Sequence, residues 1–482
     1  MRGLRLFVTT VAVGTAIASP AFGQIYQSDF PPGEFRARWT QIFDRIGAEA
    51  VAVAQGAPLA DGFALPRQSN TVYYLTGIET PHAYVVLDGR TRRATIYLPP
   101  RNERLERSEG RVLSAEDGDE VKRLTGADEV RSTDEMRGTW PLGDPKDGVV
   151  KTIYAESAPA EGYAQSRYEL VQSRAAIAAD YWDGGLPRER RFVELLRSRH
   201  PRAKIEDLTP ILDDLRSVKS AHEIALIRRA SQLAGLGLIE AIRSTEPGVY
   251  EYQLEAAARY VFAVNGARLD GYRAIAASGT ENIWNGHYYR NSKRLEDGDL
   301  VLMDYAPDYR YYTSDIGRMW PVNGRYAPWQ RELLQTVLDY HKVVLARIRP
   351  GVTAAQILEE ARQAMAPILA SRRFSKPAYE RAVRKMVETG GGALSHPVGL
   401  AVHDVGTYHN GPLKPGQVFS VDPQLWVPEE TLYIRYEDTG VVTDTGFENF
   451  TAFVPAELDD LEALARERGV VQMRPATPAV GR

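Results

Sequence analysis

Hydrophobic positions change their period along the chain. Residues 35–54 carry apolar side chains at helical spacing, while residues 72–75, 83–87 and 94–98 read as short strands, the last two joined by an Asp88-Gly89 turn. Residues 110–147 are rich in charges and turn formers, which predicts surface helices and loops, and a bridging helix is expected over 211–217. Ser220 and Glu223 then form a capping box ahead of Ile224, Leu226, Ile227, Leu233, Leu236 and Ile239, an amphipathic helix that Pro247-Gly248 brings to an end. From residue 465 onward, past Pro475 and Pro478, a loose tail is expected.

The second half writes one pattern twice. LEDGDLVLMD, from Leu295, and LKPGQVFSVD, from Leu413, share L-x-x-G-x-[LV]-[VF]-x-[MV]-D at a separation of 118 residues. Upstream, EPGVYEYQLEAA (from Glu246) is echoed by RPGVTAAQILEEA (from Arg349), where Thr353 and Gln356 make another capping box. In each copy a glycine turn leads into a buried-strand run, with Val301 and Met303 or Val418 and Val421, that ends on Asp304 or Asp422. A second acid follows on the expected return strand, Asp315 or Glu437. One aspartate near a glycine turn is ordinarily a solvated turn residue. A duplicated pair of acids on buried hairpins is different, because burying four carboxylates is very costly without a shared cation. Two helix–helix–strand–hairpin units related by a pseudo-twofold axis would gather the four.

Composition narrows the field. The 482 residues exceed one ordinary core and imply two domains. A net charge of −4 with no basic stripe gives no reason to expect nucleic acid. The absence of cysteine excludes thiolate metal sites, a cysteine nucleophile and disulfides. Arg2 and Arg5, an apolar run over 6–18 and the small residues around Ala21-Phe22-Gly23 read as a signal peptide over 1–23, which predicts export to a bacterial periplasm. No later run is long and apolar enough to span a bilayer, so no membrane partner is expected after cleavage. The expected division is a signal over 1–23, an N-terminal domain over 24–214, a second domain over 215–462 and a tail over 463–482.

With the acids placed, two further stretches complete a set: SHPVGLAVHD around His396 and His403, and IRYED around Glu437. This set resembles the pita-bread metallopeptidases, a family that includes methionine aminopeptidase, prolidase and aminopeptidase P. RQSNTVYYLTG at 67–77 and LPPRNERLERSEG at 98–110 are similar to the N-terminal domain of aminopeptidase P and the larger prolidases. The resemblance implies an α+β fold: a pita-bread catalytic domain with a pseudo-twofold repeat, preceded by a smaller α/β creatinase-type domain. It implies that Asp304, Asp315, His396, Asp422 and Glu437 hold two divalent metal ions, Mn(II) with Co(II) or Zn(II) as alternatives. Two such ions about 3.5–4 Å apart can generate a bridging hydroxide. His287 and His403 would donate to the substrate carbonyl, Asp422 would serve also as general base, and Arg435 would orient the acids. The implied activity is release of the N-terminal residue ahead of proline from small peptides, by a homo-oligomer.

Three positions depart from the family pattern. Asp422 stands where glutamate is usual, Gly392 replaces a substrate-binding histidine, and SDIGRM follows Asp315 in place of the commoner SDITRT. The alternatives are a dipeptidase acting only on Xaa-Pro, a metal-free creatinase-like C–N hydrolase, and a non-catalytic binding protein. Retention of four acids and His396 ranks the creatinase-like reading below the peptidases.

Overall fold

Glycine punctuation divides the first predicted helix. The computed structural model describes residues 26–473 except 61, 63, 145 and 147; the signal peptide expected over 1–23 and the end of the tail lie outside the described residues. The helix Pro32–Ile46 buries Phe35, Trp39, Ile42, Phe43 and Ile46 and stops at Gly47, whose φ of 77° suits glycine. The remainder of the 35–54 stretch is therefore not helix but strand, β1 (Ala50–Gln55). β1 centres a six-stranded sheet with β2 (Tyr84–Asp88), β3 (Arg93–Leu98), β4 (Glu129–Ser132), β5 (Thr152–Ala155) and β6 (Lys204–Asp207), ordered β4-β3-β2-β1-β5-β6.

Two further expectations are corrected here. Residues 72–75 form no strand: they lie in the helix Asn70–Thr76, which Ser69 caps by accepting from Val72 N at 3.3 Å and Gly77 closes at φ 66°. The cap signals at both ends outweigh the β-branched and aromatic character between them. Residues 110–147 contribute a sheet strand, β4, which pairs in parallel with β3 at the edge. Its short, half-buried run carries little hydrophobic signal.

The second half opens as its capping box predicts: Ser220 Oγ accepts from Glu223 N at 3.3 Å, and Glu223 accepts from Ser220 N at 3.0 Å, starting the helix Ala221–Arg243. A short ribbon pairs β7 (Leu269–Asp270) with β10 (Pro307–Asp308). β8 (Ile275–Ser278), β9 (Leu300–Asp304) and β11 (Gly317–Pro321) make one antiparallel sheet. β12 (Val418–Val421), β15 (Asp438–Val442) and β16 (Phe447–Asn449) make its counterpart, with a ribbon of β13 (Gln424–Val427) and β14 (Leu432–Arg435) inserted in the second hairpin. The helix pairs Ala221–Arg243 with Glu251–Val264, and Pro328–Leu345 with Ala354–Ser371, pack against these sheets around one continuous core.

The two return strands cross antiparallel. Gly317 N donates to Glu437 O at 3.2 Å and Glu437 N to Gly317 O at 3.1 Å. Two residues away, Thr439 Oγ1 accepts from Asp315 N at 3.0 Å and donates to Asp315 O at 2.7 Å. The pair 315–439 is thus the image of 437–317, and the pseudo-twofold axis runs between them. The tail also differs from expectation over 465–473: Val471 is buried, and Gln472 Nε2 donates to Ser244 O at 2.9 Å, which docks this stretch on the first long helix.

The halves are locked together. Arg67 donates to Asp308 Oδ2 at 3.0 Å, Asn70 Nδ2 donates to Leu400 O at 3.1 Å, and Tyr73 stacks on Tyr311 with ring centroids 3.5 Å apart. Deeper in, the fully buried Arg216 reaches Glu161 at 3.1 Å and Asp404 at 2.5 Å, while Lys219 lies 3.2 Å from Asp404. Among the described residues, no helix is long and apolar enough to cross a membrane.

Candidate metal centre

Each acid owes its place to a hairpin end. Asp304 closes β9 and Asp422 follows β12, while Asp315 and Glu437 stand just ahead of β11 and β15, beside the crossing. All four are buried, at 4% exposure or less. His396 lies on the segment that edges β12, where its carbonyl accepts from Ser420 N at 3.1 Å. Its Nε2 is 3.3 Å from Asp315 Oδ2 and 4.0 Å from Glu437 Oε1. One ligand atom from each of Asp315, His396 and Glu437 falls within 4.8 Å of the others.

Asp304 and Asp422 join this group through neighbours. The Tyr272 hydroxyl lies 2.5 Å from Asp304 Oδ1 and 2.9 Å from Asp315 Oδ1, so its single proton bridges the two acids. Arg435, at the end of β14, pairs with Asp304, and sits 3.5 Å from Glu437 Oε2 and 3.7 Å from Asp422 Oδ1. Gln424 Nε2 donates to Asp422 Oδ2 at 2.5 Å, and Ser420 Oγ to Glu437 Oε1 at 2.7 Å.

Burial and the neighbouring Glu437 push the Asp315 and Asp422 carboxyls well above the usual range, and burial raises Glu437 itself. Burial acts most strongly on Asp304 too, but the Arg435 charge and the hydrogen bonds from Tyr272 and Arg435 together outweigh it and hold that carboxyl low. His396 is pushed down to about 3 by burial and by His403, which leaves it neutral, the form that binds metals. Asp422 Oδ1 and Glu437 Oε2 are buried and accept no hydrogen bond among the described residues. Four carboxylates, two of them with an oxygen that accepts no hydrogen bond, and one neutral imidazole make an oxygen-rich donor set that fits divalent cations.

The centre floors a cavity of about 560 Å³. His287 and His403 line its wall with ring centroids 6.2 Å apart, and His403 packs edge-on to His396 at 4.3 Å. All of His287, Asp304, Asp315, His396, His403, Asp422, Arg435 and Glu437 thus meet at one cavity.

Residues 225–444 match the model of metallopeptidase family M24, and residues 35–142 match that of the aminopeptidase P N-terminal domain. Over 463 residues the chain is 30% identical to the Xaa-Pro aminopeptidase of Escherichia coli (strain K12), covering 91% of this chain and 98% of that one. The chain belongs to metallopeptidase family M24. An M24 relative from Haemophilus influenzae, also named Xaa-Pro aminopeptidase, is 28% identical over 461 residues, covering 91% and 98% of the two chains. Among solved structures, Escherichia coli aminopeptidase P in complex with substrate superposes with a TM-score of 0.71 at 28% identity, covering 91% and 99% of the two chains. Proline aminopeptidase P II from Yersinia pestis superposes with a TM-score of 0.72 at 30% identity, covering 90% and 99%.

Within this M24 frame, four residues around the centre carried no sequence signal of their own: Tyr272, Ser420, Gln424 and, from the N-terminal half, Glu169, whose Oε1 is 2.7 Å from His403 Nδ1. They lie outside the duplicated motif or at its variable positions. The Gly392 departure has a local reason. Its φ of 76° favours glycine, and a Cβ there would stand 3.4 Å from the Gln424 side chain, which occupies the adjoining space. His341 and His409 stay out of the site, as their positions outside the motif imply. His341 is buried on the helix Pro328–Leu345, 3.5 Å from Asp438, and His409 packs on Tyr408.

Proposed function

We propose that the protein is a dimetal Xaa-Pro aminopeptidase, which releases the first residue of peptides that carry proline second. The observation that carries this reading is the convergence of Asp304, Asp315, His396, Asp422 and Glu437 on one cavity in a chain matched along nearly its whole length by Xaa-Pro aminopeptidases. Two divalent cations held by these five residues would supply Lewis acidity to a water and to the scissile carbonyl. The oxygen-rich donor set supports Mn(II).

The chain's own residues supply the rest. Arg435 and Tyr272 hold Asp304 and Asp315 in register, and Gln424 fixes Asp422 Oδ2, leaving Oδ1 without a hydrogen bond among the described residues. His403 and His287 face the cavity, where they can hydrogen-bond a peptide carbonyl as charge develops on it. Asp422, at the edge of the donor set and lining the cavity, can take up a proton as the peptide bond breaks.

The reading extends to place and assembly: export to a periplasm, on the pattern of residues 1–23, and a homo-oligomer, in keeping with the 89% and 91% exposure of Tyr181 and Trp182. The test is a peptide panel on enzyme of known metal content. Ala-Pro-Ala should release free alanine much faster than Ala-Ala-Ala, and chelation should abolish turnover until a divalent metal is returned. Cleavage of Ala-Pro but no tripeptide would make the protein a dipeptidase. Full activity without metal would overturn the mechanism.

A further inference from the structure

Between the two stretches that match family models, residues 162–186 make an excursion out of the N-terminal half. Its ends meet: Ala160 N donates to Glu189 Oε1 at 3.3 Å. Arg167 anchors its base, 2.9 Å from Glu161 and 2.6 Å from Asp213. From 171 to 186 every residue is exposed, and Leu170, in the first turn, is the residue that the helix Arg167–Ala179 buries. That turn rests on His403. Ser166 Oγ accepts from the His403 backbone N at 3.2 Å, Glu169 Oε1 stands 2.7 Å from His403 Nδ1, and Leu170 is buried at the cavity wall.

An ionised carboxylate only accepts, so Nδ1 must carry the proton in this contact. That fixes both the tautomer and the rotation of the ring, and leaves Nε2 as the nitrogen available to a peptide. A histidine without such a partner samples both tautomers and both ring flips. Among the described residues His403 has no comparable anchor on its other side: its ring neighbours there are His396 and His287.

We propose that Glu169 is a positioning residue for His403, so that an arm lying outside the catalytic domain completes the active site. The kinetic part of this inference rests on the peptidase reading above; the spectroscopic part does not.

The experiment uses the full chain with Glu169→Ala and Glu169→Gln. Because Glu169 is half exposed, neither change threatens folding. Glu169→Ala should lower kcat on Ala-Pro-Ala about tenfold, the scale of losing a partner that orients a histidine, with KM within about twofold of the parent. Glu169→Gln, whose amide oxygen still accepts from Nδ1, should keep at least about half of the parent kcat. In protein with 15N-labelled histidine, the His403 pair, assigned by its loss in His403→Asn, should report a proton held on Nδ1 in the parent and in Glu169→Gln. It should report a tautomer mixture in Glu169→Ala. An unchanged kcat with an unmoved His403 signal in Glu169→Ala overturns the proposal. So does an equal loss in both variants, which would make the role one of charge and not of position. If the parent cleaves no peptide, the peptidase reading falls and the nitrogen signals alone decide the role of Glu169.

Discussion

Replacing Arg216 by methionine should destabilise the protein more than any exposed substitution, and the structure sets the size of the effect. Arg216 is fully buried between Glu161 and Asp404, themselves at 0% and 1% side-chain exposure. Removing one partner of a buried ion pair costs about 3–5 kcal/mol, because the other charge stays behind without compensation. Both acids keep a second cation here, Arg167 at 2.9 Å from Glu161 and Lys219 at 3.2 Å from Asp404. The loss should therefore fall at the lower end, about 3 kcal/mol. For a cooperative unit of this size that lowers Tm by only about 3 °C. Urea unfolding, followed by tryptophan fluorescence and far-UV circular dichroism, measures it directly. The Arg216→Met/Asp404→Leu double variant should cost less than the sum of the singles, with about 2 kcal/mol of coupling. Burial raises the Asp404 carboxyl, but Arg216 and Lys219 outweigh it and hold it below its ordinary range. Its contribution is then complete above about pH 4 and is lost as the pH falls through the lowered folded value, so the difference between parent and variant should be flat from about pH 5 to 7 and narrow in acid. A single-variant cost under about 1 kcal/mol, the range of an exposed pair, would refute the view that this cluster locks the halves together.

Two more outcomes follow from the site and its surroundings. Asp422→Ala should lose at least about a hundredfold in peptidase turnover and bind less metal by elemental analysis, while Asp422→Glu should retain both; a fully metallated, fully active Asp422→Ala would remove position 422 from the donor set. His341 is buried and pushed down to about 4, chiefly by desolvation. The unfolded chain therefore takes up its proton first, and stability should drop by roughly 3 kcal/mol as the pH falls from about 6.5 to 4. His341→Leu should flatten that slope in urea midpoints measured across the range, and parallel curves for the two proteins would show that His341 does not titrate this way.

The duplicated motif makes the floor of the site legible in the sequence alone. A strand that must be buried and yet ends on an acid is a conflict local to a few residues, and writing it twice in one register pairs Asp304 with Asp422 and points to Asp315 and Glu437 on the two return strands. The capping boxes at Ser220 and Thr353 worked for the same reason, since their chemistry is complete within four residues. What could not be read depends on distant partners. Tyr272 and Glu169 matter only because the fold brings them to Asp304 and to His403, and neither stands in a pattern that announces this. The strand expected over 72–75 failed because its apolar run suits either structure when fully buried, and the flanking Ser69 and Gly77 decided it.

The crossing of β11 and β15 also speaks of ancestry. Contacts in which 315 meets 439 and 437 meets 317 are those that two identical subunits make where their strands meet across a dyad. A gene doubled and joined end to end leaves such a joint inside one polypeptide, and each half is then free to specialise. His396 stands opposite Ser420, whereas the matching place in β8, opposite Leu302, holds Ala277. Fusion also answers a difficulty of charge. Two separate chains that each brought two carboxylates to a common dyad would repel there until cations arrived. Tethered as one molecule, the halves stay at a high effective concentration of each other, and the site can wait assembled for its ions.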